Sequence, residues 1–340
     1  TNVKTSNLGT ELKKKVGQNK NIVINGDMQV AQRGTSSTSS GYKTVDRFAV
    51  YHSGTDEAPT QAQVDVASGT TPYTLGFRKA LKVTNGNQTS GAGAGDYIFI
   101  RTILEAQDMA SSGWNYTSSS SYITLSFWIK SSVAQNFYGY LRSLDGTAQG
   151  YPFETGSLSA DTWTKITKTI PGASNVQFDN DANGGLEVVV APFWGTDYTG
   201  SVSLNAWAAF SSSVRTPDYG SSNDDWYLTN DATLEITGVQ LEVGSVATDF
   251  EHRTEAEEAL RCKRYYISST DFHYICVNNG ESDRWIRFMV EMRDAPTVTT
   301  SPTNSVSFAA QNQTKHGFAG NGSGASLANF NLPWTAEAEL

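Results

Sequence analysis

The chain has 340 residues, of which 38% are hydrophobic and 17% charged, with a formal net charge of -9. That length favours one large domain with smaller attachments, and abundant Ser, Thr, Gly and Asn beside few charges favours strands and turns over amphipathic helices. An acidic balance argues against nucleic acid as a partner. No apolar run approaches the ~20 residues that cross a bilayer, and the first residues lack the apolar core of a signal peptide, so no membrane insertion is expected. Cys262 and Cys276 are too few for a disulfide framework and have no metal-ligand spacing; both read as buried thiols.

Residues 1–20 carry Lys4, Lys13, Lys14, Lys15 and Lys20 against Glu11, so the body is more acidic than the whole. Val3, Leu8, Leu12 and Val16 fall near one face of a short helix, too few to fold alone. The segment is either a frayed terminus or an arm that orders on a partner. From Asn21 a short β-type run ends in the turn signal Asn25-Gly26-Asp27. Strands are then expected at 44–52, 78–84, 97–104, 122–130, 136–141, 162–170, 186–191, 201–209 and 233–243. Gly-, Ser- and Asn-rich loops separate them and no helical pattern intervenes, which indicates a two-sheet sandwich. In 122–130, Ile123, Leu125, Phe127 and Ile129 alternate with Thr124, Ser126 and Trp128, which sends four apolar groups to one face and Trp128 to the other.

The longest credible helix follows. Thr254 with Glu257 forms a capping box, Glu255, Glu257 and Glu258 load the first turn, and Arg261, Lys263 and Arg264 load the last, all matching the helix dipole. Ala256, Ala259, Leu260, Cys262 and Tyr266 fall on one side, available to the sandwich or to another copy. Strand patterns resume at 265–277, 285–292 and 297–308, before a Gly/Asn/Ser-rich stretch at 317–326. So short a segment has little room for a core of its own, and oligomerisation would share Trp285, Phe288 and Trp334 between subunits.

The inventory for catalysis is poor. His52, His252, His273 and His316 are scattered, there is no His-Glu-x-x-His pattern or nucleophile elbow, and Gly91–Gly95 lacks phosphate-loop spacing. Asp224-Asp225 and Asp179 with Asp181 could serve glycoside cleavage, though polar surface turns explain them as well. Asp179, Asp181 and Asn183 before Gly184 match the first half of a calcium loop, but Val190 stands where the bidentate Glu belongs, leaving a hairpin turn as the competing reading. More informative are aromatic residues in loop-like stretches, because sugars stack C–H faces on such rings while neighbouring acids accept their hydroxyls. Trp114, Tyr116, Trp194, Tyr198, Tyr219 and Trp226, with Asp225, are the candidate glycan contacts; for any one of them core packing is the alternative.

Two stretches, NIVINGDMQVAQRGTS with GYKTVDRF at 21–48 and GVQLEVGSVATDFEHR with LRCKRYY at 238–266, resemble a group of bacteriophage tail fibre or virion-fibre proteins, many from marine and cyanobacterial phages. Between them, YITLSFWIKS and DTWTKITKTIPG resemble paired strands of carbohydrate-binding jelly-roll modules, and MRDAPTVTT with the closing AEAEL fits the C-terminal piece of the same fibres. The resemblance implies an all-β chain with a jelly-roll β-sandwich at 21–252, a short connecting helix at 253–267 and a small C-terminal β domain at 268–340. It also implies a homotrimer, carried on the virion by residues 1–20 bound to a tail or capsid protein and contacting a host surface glycan without cleaving it. A purely structural head fibre or tail adaptor, and a polysaccharide depolymerase, are the alternatives. Where related jelly rolls carry an acidic calcium ligand in their last strand, this chain has Ile236-Thr237-Gly238-Val239.

Overall fold

A computed structural model describes residues 20–219, 225–270, 273–276, 282–301, 307–323 and 328–340. It divides into two units with the boundary between Arg253 and Thr254. Apart from Lys20, the expected N-terminal arm lies outside the described residues. The first unit contains, in order, β1 (Ser36–Ser37), β2 (Ala49–Ser53), β3 (Thr60–Asp65), α1 (Thr71–Thr74), β4 (Lys79–Thr84), β5 (Tyr97–Glu105), α2 (Ala106–Ala110), β6 (Tyr122–Ser131) and β7 (Asn136–Ser143). It continues with β8 (Gln149–Ser157), β9 (Thr164–Pro171), β10 (Gly184–Trp194), a 3-10 turn (Thr196–Tyr198), β11 (Ala208–Ala209), α3 (Asp225–Leu228) and β12 (Thr233–Val243).

These strands pair as one long hairpin rolled onto itself. β7 pairs with β8, β6 with β9, β5 with β10 and β4 with β12, all antiparallel, so first meets last and the innermost pair is adjacent in sequence. The roll closes where β12 also pairs with β6 and β10 with β7. Two sheets result, in the orders β1-β3-β4-β12-β6-β9 and β11-β8-β7-β10-β5-β2. That is the strand order of a jelly roll, and it satisfies the sequence-based expectation from this chain's own pairing.

The core between the sheets follows from alternation. Ile123, Leu125, Phe127 and Ile129 of β6 are all buried, and they meet Phe137 and Leu141 of β7, Phe153 of β8 and Leu186 and Val188 of β10. Phe127 and Phe153 lie 6.3 Å apart across the gap. Each such side chain contributes about 1.5–3 kcal/mol by leaving water. Trp128 turns the other way, into a satellite cluster with Phe77 and Phe250.

Expected strand limits shift where an L-residue takes a left-handed backbone. Arg47, at φ 69°, delays the strand expected from 44 until Ala49, and Asn205, at φ 58°, cuts the run expected at 201–209 down to Ala208–Ala209. β3 and β8 were missed by the sequence reading: TQAQVD has only two apolar side chains, and QGYPFETGS carries a proline and two glycines that read as breakers.

The two stretches that carry the fibre resemblance are bonded to one another. Ile22 N–H donates to Leu241 O at 3.0 Å, Val239 N–H donates to Gly26 O at 2.8 Å, and the Asn21 side chain both accepts from Leu241 N–H and donates to Val239 O. A Cβ on Gly26 would sit 2.1 Å from Val239 O, so only glycine fits this crossing. Arg253 donates to Val23 O and Asn21 O and pairs with Glu251 at 3.1 Å, which ties the end of the unit to its start.

The second unit begins with α4 (Glu255–Cys262), whose capping box forms as expected from Thr254 and Glu257. Glu258 and Cys262 are buried, whereas Ala256 and Leu260 are exposed. Then come β13 (Tyr266–Ser269), β14 (His273–Cys276), β15 (Ser282–Arg287), β16 (Thr297–Thr300), β17 (Ser307–Thr314), β18 (Gly317–Ser323), β19 (Ala328–Asn331) and β20 (Trp334–Glu337). They form sheets β13-β20-β16, β14-β19 and β15-β18-β17 around Ile267, Ile286, Met292, Phe308, Phe318 and Trp334. The Gly317–Ser323 part of the Gly/Asn/Ser-rich stretch is a central strand, and a Cβ on Gly320 would strike the Phe308 ring that packs there. Trp334 packs on Phe318 at 5.3 Å within its own unit, while Trp285 is exposed. Among the described residues no helix is long and apolar enough to cross a membrane.

Candidate functional site

Three of the expected glycan contacts are core residues. Trp114 is 3% exposed, donates from its indole to Ser121 O at 3.3 Å and packs near Phe178. Tyr116, half-buried, leans on the same Phe178 at 4.9 Å. Tyr219 donates from its hydroxyl to Ala191 O at 2.6 Å, and burial raises its pKa. Trp226 is fully buried in α3; its backbone N–H donates to Gln135 at 2.8 Å, and the Asn85 amide holds the carbonyls of Trp226 and Tyr227. Loop-like sequence around these rings suggested accessibility, but Trp114, Tyr219 and Trp226 join the core cluster and Tyr116 packs against it. Asp225 is exposed at the start of α3, and Asp224 lies outside the described residues.

Trp194 and Tyr198 lead elsewhere. Residues opposite one another on antiparallel strands share a sheet face. Across β8, β7, β10 and β5 this sets Gly150, Arg142 and Glu187 in one row and Pro152, Tyr140, Val189 and Arg101 in the next. Glu154, Tyr138 and Ala191 form a third row, and Tyr51 of β2 pairs with Phe99 of β5. This face points away from the inter-sheet core, which takes the alternate residues Leu141, Val188 and Ile100.

A chain of rings runs along it. Tyr51 stacks on Phe99 at 5.3 Å, Phe99 on Trp194 at 4.7 Å, and Trp194 meets Tyr97 and Tyr198, each at 5.4 Å. The segment 195–219 crosses the same face and is pinned by Gly195 N–H to Asp96 O, Asn205 N–H to Pro152 O and Phe210 N–H to Ala148 O. It brings Phe210 to 5.5 Å from Tyr140 and sets the Arg215 guanidinium 4.4 Å over Trp194 and 4.9 Å over Tyr198. Trp194 is thereby only 1% exposed, while Tyr51, Tyr198, Phe210 and Arg215 are half-buried along the rim.

Charge is concentrated at the centre. Glu187 lies 3.4 Å from Arg101 and 3.8 Å from Arg142. Arg101 also donates to the Tyr51 hydroxyl at 3.0 Å, and Arg142 sits 4.2 Å over the Phe210 ring. Burial opposes the charge of Arg101, but Tyr42, Tyr51 and Glu187 outweigh it and raise its pKa. Burial and Glu187 together push the Tyr140 hydroxyl well above its ordinary range, against the pull of Arg215, Arg142 and Arg101. Two acids at the flank are engaged locally: Glu154 of the third row accepts from the Asn136 amide at 2.9 Å, and Asp218 of the crossing segment accepts from the Thr199 hydroxyl. Sequence reasoning missed Tyr51, Arg101, Tyr140, Arg142 and Glu187 because it sought rings on loops. The available signal was a charged residue inside an apolar strand, as in YIFIRTILE and GGLEVVVAPFW.

Asp179, Asp181 and Asn183 do not fit a calcium shell. Both Asp181 carboxylate oxygens accept from Asn183, through its backbone N–H at 2.9 Å and its amide at 2.7 Å, and Asp179 accepts from the Gln177 amide at 2.9 Å. The carbonyls of Asp181 and Asn183 take the N–H groups of Gln107 and Ala106 at 2.8 Å, so the loop caps α2. Nearby, burial raises the Asp145 pKa, with Asp179 and Asp181 adding repulsion. In β12 the place of the missing acid is Gly238, at φ 64° in the bulge between Thr237 and Gln240. Among the described residues no group of three or more His, Cys, Asp or Glu could hold a metal.

The opposite sheet bears a cavity of about 340 Å³ lined by Phe77, Trp128, Lys165, Asp249, Phe250 and His252. Its one cation is matched by one anion, and His252 and Phe250 pack on Phe77 within the satellite cluster. The face around Tyr140 carries more rings and the guanidiniums of Arg101, Arg142 and Arg215.

No family model and no curated protein matches the chain. Among solved structures it is similar to the enzymatically active domain of bacteriophage CBA120 tailspike protein 4, at 12% identity and a TM-score of 0.34, covering 66% of this chain and 21% of that one. It is also similar to the N-terminal cellulose-binding domain of Cellulomonas fimi β-1,4-glucanase C, at 11% identity and a TM-score of 0.29, covering 64% of this chain and 99% of that one. A third neighbour is TmCBM61 in complex with β-1,4-galactotriose, at 7% identity and a TM-score of 0.30, covering 67% and 99%. The chain spans 21% of the tailspike and 30% of the Clostridium thermocellum xylanase 10B modules that it also resembles. At these scores the likeness assigns no residue a role, and the jelly roll rests on the strand pairing above.

Proposed function

We propose that this chain is a non-enzymatic glycan-binding protein of a phage virion fibre, and that it holds host surface polysaccharide on the outer face of the β5-β10-β7-β8 sheet. The observation that carries this reading is the half-buried rim of Tyr51, Tyr198, Phe210, Arg101, Arg142 and Arg215 around a ring-lined floor. Rings offer flat apolar area to sugar C–H faces, and guanidiniums donate several hydrogen bonds to oxygens in a fixed plane. Such single sites are weak, and a homotrimer would raise their avidity. The virion setting rests on the resemblance of 21–48 and 238–266 to fibre proteins, and attachment to tail or capsid protein is assigned to residues 1–20 on the same ground.

The test is a glycan array and calorimetry with polysaccharide from host envelopes, on the native chain and on Tyr198→Ala. Binding should drop about tenfold in the variant, as expected for losing one stacked ring, and no reducing ends should appear during incubation. Array silence would sink the reading, and release of oligosaccharide would replace it with a depolymerase. Mass measurement in solution decides the trimer, and antibody labelling of intact particles decides the setting.

A further inference from the structure

We infer that the cavity on the outer face of the β4-β12-β6-β9 sheet is a second binding site, which takes one neutral sugar ring, either a free sugar or the end unit of a glycan. It lies on the other sheet from the face proposed above and stands on its own observations. The cavity measures about 340 Å³, the small end of the ~300–1,000 Å³ of ligand pockets, which suits one ring rather than a chain laid along a groove. Its wall is aromatic. Phe77 is buried, Trp128 and Phe250 are half-buried, and Phe250 and His252 lie 4.9 Å and 5.0 Å from Phe77. His252 Nε2–H donates to Leu75 O at 2.8 Å, which fixes that exposed ring. Gly238 lets the rings converge: a Cβ there would sit 2.7 Å from Phe77 and 3.2 Å from Trp128, and its φ of 64° favours glycine.

The polar groups select the ligand. Ser126 shares the outward face of β6 with Trp128, is 3% exposed and lines the cavity. Its hydroxyl has no hydrogen-bond partner among the described residues. The residue opposite it in β12, Gln240, is committed elsewhere, donating from its amide to Glu242 at 2.8 Å and accepting from Glu251 N–H at 2.8 Å. A buried hydroxyl left unpaired costs stability, so a cavity that keeps one in its lining is matched to a ligand that supplies the partner. Two charges line the same space, and neither is paired with an opposite charge among the described residues: Lys165, directly opposite Trp128 in β9, and Asp249 of the segment that follows β12. A sugar ring meets all of these at once. Its C–H face lies on the indole, while its hydroxyls, each both donor and acceptor, accept from Lys165, donate to Asp249 and pair with Ser126. An apolar ligand would seal the Ser126 hydroxyl away unpaired, and a singly charged one would meet a like charge in Lys165 or Asp249.

The test uses the full chain, with saturation-transfer NMR and calorimetry against glucose, galactose, mannose, rhamnose and N-acetylglucosamine, their methyl glycosides, and phenylalanine and glycine betaine as zwitterions. Expected is binding of at least one neutral sugar, with Ser126→Ala about two- to tenfold weaker, the range of one hydrogen bond. The same variant should unfold thermally no earlier than the native chain, because the hydroxyl it removes bonds to nothing in the protein. A lowered midpoint would give Ser126 a structural role and overturn its place as a ligand contact. Lys165→Gln and Asp249→Asn, both at exposed positions, should each weaken the sugar by a similar factor with the fold intact. Equal binding of a sugar and its methyl glycoside identifies a chain end, preference for the free sugar identifies a free ligand, and either supports the site. Silence toward every neutral sugar would overturn the inference, as would sugar binding that Ser126→Ala leaves unchanged, which places the sugar elsewhere. Binding of phenylalanine or betaine in place of sugars, lost in the Lys165 and Asp249 variants, would assign the cavity to a zwitterion and overturn the sugar.

Discussion

Two sets of aromatic residues in the first unit use the same chemistry for opposite ends. In the inner set, Tyr227 stacks on Phe193 at 4.1 Å, its hydroxyl donates to Asp96 at 2.9 Å, and Trp226 beside it is fully buried. In the outer set, Tyr51, Phe99, Trp194 and Tyr198 stack just as closely but are bordered by guanidiniums and open at the rim. Backbone carbonyls and the Tyr227 hydroxyl of the inner set are held by Asn85 and Asp96, and the Trp226 backbone N–H by Gln135, all out of reach of solvent. Polar groups of the outer set are only partly answered. Ring content alone therefore does not separate stability from recognition; the partners of the neighbouring polar groups do.

The sharpest way to break this distinction is Trp226→Ala. It should cost about 3–5 kcal/mol of stability, the range for truncating a buried aromatic ring, as measured by urea unfolding, with glycan affinity per folded molecule unchanged. An affinity change without destabilisation would move Trp226 into the site. Glu187→Gln should follow at about 1–2 kcal/mol, less than the loss expected for breaking a fully buried pair, because Arg101 and Arg142 keep partial contact with water. Tyr198→Ala should cost under about 1 kcal/mol, since its ring is half-buried, yet it should abolish most binding. If Tyr198→Ala instead unfolded the chain, the outer set would be structural.

The smallest effect concerns pH. Burial lowers the His52 pKa from 6.5, outweighing the hydrogen bond to Thr38 O that raises it. A depressed folded-state value means the unfolded chain takes up the proton first, so stability present above 6.5 is lost as the pH falls through the folded-state value. His52→Gln should remove that slope in thermal unfolding while leaving the inner set untouched.

The alternation in YITLSFWIKS was legible as a half-buried strand, and Thr233–Val243 was located at its true limits, because both are long runs with period-two patterning. The capping box at Thr254 was legible because it is a purely local bond set. β8 was not, since Pro152 and the glycines on either side read as a break and only pairing with β7 holds the strand straight. Of the candidate contacts, Trp194 and Tyr198 do reach the face, whereas Trp114, Tyr219 and Trp226 were drawn inward by loops whose path is set at a distance.

The sequence by itself determined the class of the fold, the helix start and the absence of a regular catalytic motif, since each depends on residues a few positions apart. Only the tertiary structure decided which rings meet water and which arginines share an acid. Arg142 and Glu187 are neighbours across strands, and Arg215 is laid over Trp194 by a crossing loop. Such proximity is created when the hairpin rolls, because closure pairs β10 with β7 and carries segment 195–219 back over the face it leaves.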